Sequence, residues 1–243
     1  FISGRQPGEK PYFYYFRTLI MQQYVIIVAG GTGTRMKSDR PKQFLELSGI
    51  PVIIRTIRCF ITYNPGIGVI VVVHSDYRTY LEELLAGHEL LHTGIQITTG
   101  GASRFESVRN GLSLIGDIPG VVGIHDAARP LVSLQTIAAC YDTAAAEGSA
   151  IPCVAVHESL RKASHTINHA VDRNEYRIVQ TPQCFSIPRI KAAFRQEYSP
   201  LFTDDATVFE SAGETVVLVE GNEENIKITS PRDLLIANAL LQS

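Results

Sequence analysis

The sequence predicts an α/β protein built on a mostly parallel twisted sheet with helices on both faces, plus a protruding β-hairpin arm. Three observations carry this. Strand-like apolar runs alternate with helical patterns, the signature of parallel strands joined by crossover helices. Several runs are unbroken Val/Ile, as strands buried on both faces require. One polar stretch, residues 157–180, breaks the alternation and has too few apolar residues to lie on the core. The alternation makes the main body Rossmann-like.

The elements follow in order. Residues 1–20, FISGRQPGEKPYFYYFRTLI, have neither a clean apolar core nor a small-residue cleavage site. They are expected to be a disordered extension, with Met21 opening a single domain over 21–243. A strand at 24–28 runs into the small-residue turn AGGTGT, which delivers Arg35 and then Lys42. Pro41 fixes its own φ and biases Arg40 towards extended backbone, and is expected to hold Lys42 out of a helix. A strand at 69–73 precedes Ser75, which is placed to cap a helix over 76–85. A strand at 95–98 leads to Gly100-Gly101. Ser103 and Glu106 then form a capping box for a helix to about residue 114. The strand at 121–124 ends in HDAARP (125–130). Ser133 caps a helix to about residue 147. A strand at 151–156 feeds the arm at 157–180, whose turn is expected near Asn168. Thr203-Asp204 reads as another helix cap. A strand at 216–219 and the Ser230-Pro231-x-Asp233 helix start complete the chain.

Composition narrows the function. The chain has 243 residues and a net charge of −2, so no global basic field calls for nucleic acid. An anionic ligand would have to be held by local clusters. No run approaches the roughly 18 apolar residues of a membrane span. The four cysteines are scattered and form no C-x-x-C, which argues against a zinc site and fits a reducing, cytoplasmic setting. His165 and His169 have i, i+4 spacing but fall in the expected hairpin, so no metal ligands are assigned.

The glycine turn is the most informative segment. Glycines let backbone N–H groups crowd round an anion, and two cations beside them suit a polyphosphate. Its spacing is neither that of a Walker A loop nor G-x-G-x-x-G, since Met36 stands where the third glycine would be. A plain strand-to-helix turn would leave Arg35 and Lys42 without a purpose. Asp126 follows a strand directly, and in open α/β sheets ligands sit at the carboxyl ends of strands, so it is placed to meet a sugar hydroxyl or a metal. Arg129 can pair with it or with a phosphate. Gly100, Gly101 and Ser107 form a second candidate turn for an anion or a base. Arg173, on the polar arm, has no structural purpose unless it reaches a ligand or a partner. Lys227, just past a strand, can point into the same cleft. For each of the last two, simple solvation is the alternative.

Taken in order, these motifs resemble the 2-C-methyl-D-erythritol 4-phosphate cytidylyltransferase family. The likeness runs from about residue 24 to the C-terminus. It rests on AGGTGTRM and PKQ at 29–36 and 41–43, HDAARP at 125–130, VDRN at 171–174, TPQ at 181–183, TDDA at 203–206 and EGNEENIK at 220–227. The resemblance implies transfer of CMP from CTP, with Mg²⁺ carried mainly on the CTP phosphates, to 2-C-methyl-D-erythritol 4-phosphate, with release of pyrophosphate. It implies that Arg35 and Lys42 stabilise the charged transition state, and that Arg173 and Lys227 position the acceptor phosphate. Ala29, Gly30, Gly31, Gly33, Gly100, Gly101, Ser107 and Asp126 would hold the nucleotide. Asp126, Arg129, Ser159, Arg173, Thr181 and Lys227 would meet the acceptor. It implies a homodimer in which Arg173 reaches in from the partner's arm. The chain departs from the family pattern at Gly30 (alanine), Ala102 (acidic), Ser159 (threonine) and Asp205 (glutamate).

Three other readings stay open from the sequence. A ribitol-5-phosphate cytidylyltransferase would share the fold, though the Ala-Arg of HDAARP favours the methylerythritol family. A nicotinamide oxidoreductase would want the missing third glycine. A non-catalytic nucleotide sensor gives no reason to keep both Arg35 and Lys42.

Overall fold

A computed structural model describes residues 21–31, 40–91, 94–164 and 166–242. The expectation for residues 1–20 lies outside them, as do those for Gly33 and Arg35. The described strands are β1 (Gln22–Ala29), β2 (Glu46–Leu47), β3 (Ile50–Pro51), β4 (Gly68–Val73), β5 (Gln96–Thr99), β6 (Gly120–Asp126), β7 (Ser149–Ala155), β8 (Arg161–Ala163), β9 (Asn168–Ala170), β10 (Arg177–Val179), β11 (Gln183–Ser186) and β12 (Leu218–Glu220). The described α-helices are α1 (Val52–Tyr63), α2 (Arg78–Gly87), α3 (Arg104–Ser113), α4 (Leu134–Glu147), α5 (Ile187–Ala193), α6 (Asp205–Ser211) and α7 (Pro231–Leu240).

The main sheet has the order β10-β7-β11-β6-β1-β4-β5, with β12 added alongside β7. β1 pairs in parallel with both β4 and β6, and β4 with β5. β11 runs antiparallel between β6 and β7. The alternation of β1 explains its unbroken apolar run. Val25, Ile27 and Ala29 face a core shared with α1, α2 and α4, while Ile26 faces a second core with α3, α5 and α6. Successive strand side chains point to opposite faces, so a strand covered on both sides needs no polar positions. A third cluster, Leu47, Val52, Ala128, Ile228 and Ala237, ties α7 and the HDAARP loop to the small β2–β3 hairpin.

Two boundaries differ from the sequence reading for physical reasons. Ser75 does not cap a helix over 76–85: residues Ser75–Tyr77 form a 3₁₀ turn, its N-cap is His74, whose Nδ1 accepts from Asp76 N, and α2 begins at Arg78. Lys42 is not held out of a helix. Pro41, at φ −57°, is instead the N-cap of a one-turn 3₁₀ helix, Lys42–Phe44. The arm is also shorter than expected. Its hairpin is β8–β9, closed where Ser164 N donates to Ile167 O, and Asn168 opens β9 rather than the turn. Residues 177–179 rejoin the main sheet as β10, antiparallel to β7.

Candidate active site

Gly30-Gly31, HDAARP, the Gly100-Gly101 turn and the Lys227 segment converge at the carboxyl end of β1, β4, β5 and β6. They surround a cavity of about 520 Å³ whose lining includes Gly30, Gly31, Lys42, Gly101, Ser107 and Asp126. Ala29 and Lys227 line it as well. Gly100 supports the turn from behind, its N–H bonded to Val73 O at 2.9 Å. A smaller polar cavity of about 280 Å³ adjoins it and is lined by Asp126, Arg129, Thr181 and Lys227 together with Gln180, Gln183, Thr203 and Asp204. Among the described residues, three line both cavities: Arg104, Asp126 and Lys227. They form the wall between the two.

Each wall is built by local chemistry. The end of β1 is clamped by buried Gln43, whose Nε2 donates to Ala29 O at 2.8 Å and to Gly31 O at 3.2 Å. The Gly100-Gly101 turn is shaped by Ser107. Its hydroxyl donates to Ser103 O at 2.9 Å and accepts from Gly101 N at 3.1 Å, beside the expected Ser103–Glu106 capping box. The HDAARP loop is fixed from below, where Ala127 N donates to Val28 O and Thr56 Oγ1 of α1 donates to Ala127 O at 2.9 Å. Ile228 N donates to Ala128 O, which stitches the Lys227 segment to the same loop.

Asp126 is the electrostatic centre. Its Oδ2 lies 2.8 Å from Lys227 Nζ and 3.4 Å from Arg129 Nε. Burial alone pushes its carboxyl up, but Arg104, Lys227 and Arg129 outweigh that and hold it well below the usual carboxylate range. Arg129 is itself anchored by Asn225 O, 2.6 Å from Nη1. Next along β6, His125 is fully buried and kept neutral: burial pulls it down to about 4. Asp126 N donates to Thr181 Oγ1 at 3.1 Å; neutral His125 carries its proton on Nε2, which faces a carbonyl, so its Nδ1, 3.1 Å from Thr181 Oγ1, accepts the hydroxyl proton. His125 Nε2 then donates to Arg129 O at 3.0 Å. Thr181 therefore borders the smaller cavity with its only O–H already committed.

The sequence-assigned residues divide into three groups. Ala29, Gly30, Gly31, Lys42, Gly101, Ser107, Asp126, Arg129, Thr181 and Lys227 come together around the two cavities, with Gly100 behind them. Ser159 and Arg173 do not join them. Both lie on the exposed arm, where Arg173 Nη1 donates to His157 O. Gly33 and Arg35 lie outside the described residues. Polar lining residues with no role in the sequence reading include Gln43, His74, Arg104, Gln180 and Gln183. Arg104 carried a signal. A cation at the first position of a helix opposes the macrodipole and asks for a reason. Among the described residues no cluster of three or more His, Cys, Asp or Glu could hold a metal ion.

A doubly covered, mostly parallel sheet with a glycine-edged, cation-lined cavity at its carboxyl end, opening onto a second polar cavity, defines a nucleotidyltransferase. Comparison with known proteins sharpens the class. The family model described as IspD, 2-C-methyl-D-erythritol 4-phosphate cytidylyltransferase, matches residues 23–243. A protein of that name from Bacteroides thetaiotaomicron is 46% identical over 223 residues, covering 91% of this chain and 100% of the relative. One from Porphyromonas gingivalis is 45% identical over 224 residues, covering 91% of this chain and 99% of the relative. The crystal structure of 4-diphosphocytidyl-2C-methyl-D-erythritol synthase from Anaerococcus prevotii superposes with a TM-score of 0.79 at 25% identity, covering 92% of this chain and 99% of that one. That of the Thermus thermophilus cytidylyltransferase superposes at 0.73 with 28% identity, covering 92% of this chain and 100% of that one. The chain belongs to the 2-C-methyl-D-erythritol 4-phosphate cytidylyltransferase family.

Proposed function

We propose that this protein transfers CMP from CTP to 2-C-methyl-D-erythritol 4-phosphate, releasing pyrophosphate, in isoprenoid precursor synthesis. The observation that carries the reading is the shared wall. A larger cavity edged by glycine turns suits a nucleotide, a smaller one lined by polar groups and cations suits a polyol phosphate, and Asp126 and Lys227 belong to both. Bonds are exchanged where the two ligands meet. There an acceptor phosphate oxygen attacks the α-phosphorus of CTP in line, and the β-phosphate leaves with its electron pair.

Such a reaction asks the protein for positioning and charge stabilisation more than for covalent chemistry. In this reading Lys42, with Arg35, neutralises charge growing on the α-phosphate. Lys227 and Arg129 hold the acceptor, and the Gly100-Gly101 turn with Ser107 meets the base. The donor is magnesium-bound CTP. Magnesium would ride mainly on the triphosphate, since Asp126 is the only carboxylate among the described residues lining the larger cavity and is already paired with Lys227 and Arg129.

A homodimer completes the site. Ser159 and Arg173 stand away from their own cavities, and the arm region exposes Ile167, Tyr176, Ile178, Val179 and Leu218. That apolar surface supports docking of a second copy, which would carry Arg173 into the partner's smaller cavity. A reducing cytoplasm is the proposed location, supported by four cysteines that are all free thiols. Among the described residues no helix is long and apolar enough to cross a membrane.

The test is direct. Purified protein given CTP with 2-C-methyl-D-erythritol 4-phosphate, or with ribitol 5-phosphate, is followed by pyrophosphate release. Release with the first acceptor is expected. Turnover of ribitol 5-phosphate alone, or none with either, would overturn the assignment.

A further inference from the structure

The third member of the shared wall is unexplained by the roles above. Arg104 opens α3 at its first position, directly after the N-cap Ser103, where the helix dipole disfavours a cation. It is held there by Asp205, which opens α6. Arg104 Nη1 lies 2.7 Å from Asp205 Oδ1 and Nη2 lies 2.6 Å from Oδ2, a bidentate fork on a carboxylate only 1% exposed. Asp205 is fixed in turn by buried Gln183 of β11. The Oε1 of Gln183 accepts from the N–H groups of Asp205 and Ala206 at 3.0 and 2.9 Å, and its Nε2 donates to Asp204 Oδ2 at 2.8 Å. Two helix starts and a central strand thus converge on one guanidinium.

That much anchoring exceeds what a packing contact needs. A guanidinium has five N–H donors. Two serve Asp205, and among the described residues no other acceptor engages the rest. The side chain is still 32% exposed, and what it faces is the two cavities it borders. Burial pushes the carboxyl of Asp205 up, against the pull of Arg104, so the pair carries a desolvation cost.

We propose that Arg104 is a further catalytic residue, a fixed guanidinium at the junction of the nucleotide and acceptor cavities that bonds phosphoryl oxygens at the point of transfer, with Asp205 and Gln183 as its positioning residues. The proposal rests on the cytidylyl-transfer reading. Its chemistry is that of a rigid fork donating to an oxyanion, which a flexible ammonium does not reproduce.

The ion pair supplies the discriminating experiment. Arg104→Ala and Asp205→Asn both break it, but only the first removes the donors. If Arg104 serves structure alone, the two variants lose turnover equally, in step with lost stability. If it bonds the reacting phosphates, Arg104→Ala loses about 10²-fold or more in kcat. Asp205→Asn, which keeps the guanidinium but holds it less firmly, then loses several-fold less kcat than Arg104→Ala at comparable urea stability, and millimolar methylguanidine restores turnover to Arg104→Ala where equal sodium chloride does not. Should Arg104→Ala fail to fold, Arg104→Lys keeps a positive charge against Asp205 and is measured instead, with the same loss of kcat expected at a nearly unchanged KM for CTP. Equal losses in the arginine and aspartate variants, or an Arg104→Lys enzyme within a few-fold of wild type, would overturn the proposal. Pyrophosphate release by the unmutated protein is scored separately, so failure here is distinct from failure of the assigned reaction.

Discussion

His125 shows how the site's geometry is maintained by a residue that meets no ligand. Its ring stacks edge-on against Phe60 at 4.9 Å between centroids, and both of its nitrogens are used. The folded protein refuses it a proton until about pH 4, whereas its ordinary value is 6.5. The sign follows. Below about pH 6.5 the unfolded chain takes up a proton that the fold rejects, so stability falls with pH until about pH 4 and then levels for this group. The whole effect amounts to at most ~3 kcal/mol. Urea titrations at pH 7.5 and 4.5 are expected to show this loss, and His125→Asn, which cannot titrate, should show markedly less of it. Equal slopes in the two proteins would mean that acid acts elsewhere. The same geometry assigns Thr181 a supporting part. Its hydroxyl links Asp126 N to His125, so it places the carboxylate at least as much as it borders the acceptor.

Among the elements, the two glycine turns look alike in sequence and differ in what they tolerate. A Cβ on Gly30 would lie 3.4 Å from Ser107 Oγ, ordinary contact, and Gly30 is not in the left-handed region. A Cβ on Gly101 would sit 2.4 Å from Glu106 Cβ and 2.9 Å from Oε2, inside the capping box of α3. Gly30→Ala, which restores the alanine of the family pattern, is expected to change stability by less than about 1 kcal/mol and to leave CTP affinity near wild type. Gly101→Ala should cost about 1–3 kcal/mol and weaken CTP binding, because α3 must shift to admit the methyl. Urea midpoints and CTP titration check both, and a tolerant Gly101 would show that the turn is not shaped by the cap. The contrast also marks what was legible in the sequence. Capping residues act locally, so Ser103, Ser133, Asp204 and Ser230 announced their helices. α1 went unread because VIIRTIRCFITY is rich in β-branched residues and its helicity is decided by packing of Val52, Ile53, Ile57 and Phe60. β11 and α5 follow one another without a spacer, so no turn residue punctuates QCFSIPRIKAA. The helix-start position of Arg104 was a signal, but its partner was not legible: Asp205 is 101 residues away along the chain and adjacent only in the assembled fold.

For the molecule as a whole, the decisive matter is where Arg173 acts. Within one chain its guanidinium binds the arm's own backbone, and both cavities are lined without it. A catalytic part for Arg173 thus requires a second copy, and this can be tested without a structure of the dimer. Lys42→Ala should lose about 10²–10³ in kcat through removal of a fixed cation beside the reacting phosphate. Arg173→Ala should fail through loss of acceptor positioning. If each cleft is completed by the other subunit's arm, a mixed dimer of the two variants contains one doubly damaged site and one intact site. The intact one combines Lys42 of the arginine mutant with Arg173 of the lysine mutant. Random pairing after co-expression makes about half the dimers mixed, with one working site in two, so about one quarter of wild-type activity should return. Activity that stays at the level of the separate variants, or a monomer by light scattering under assay conditions, would place Arg173 outside the reaction and leave the exposed apolar strands of the arm region without this occupant.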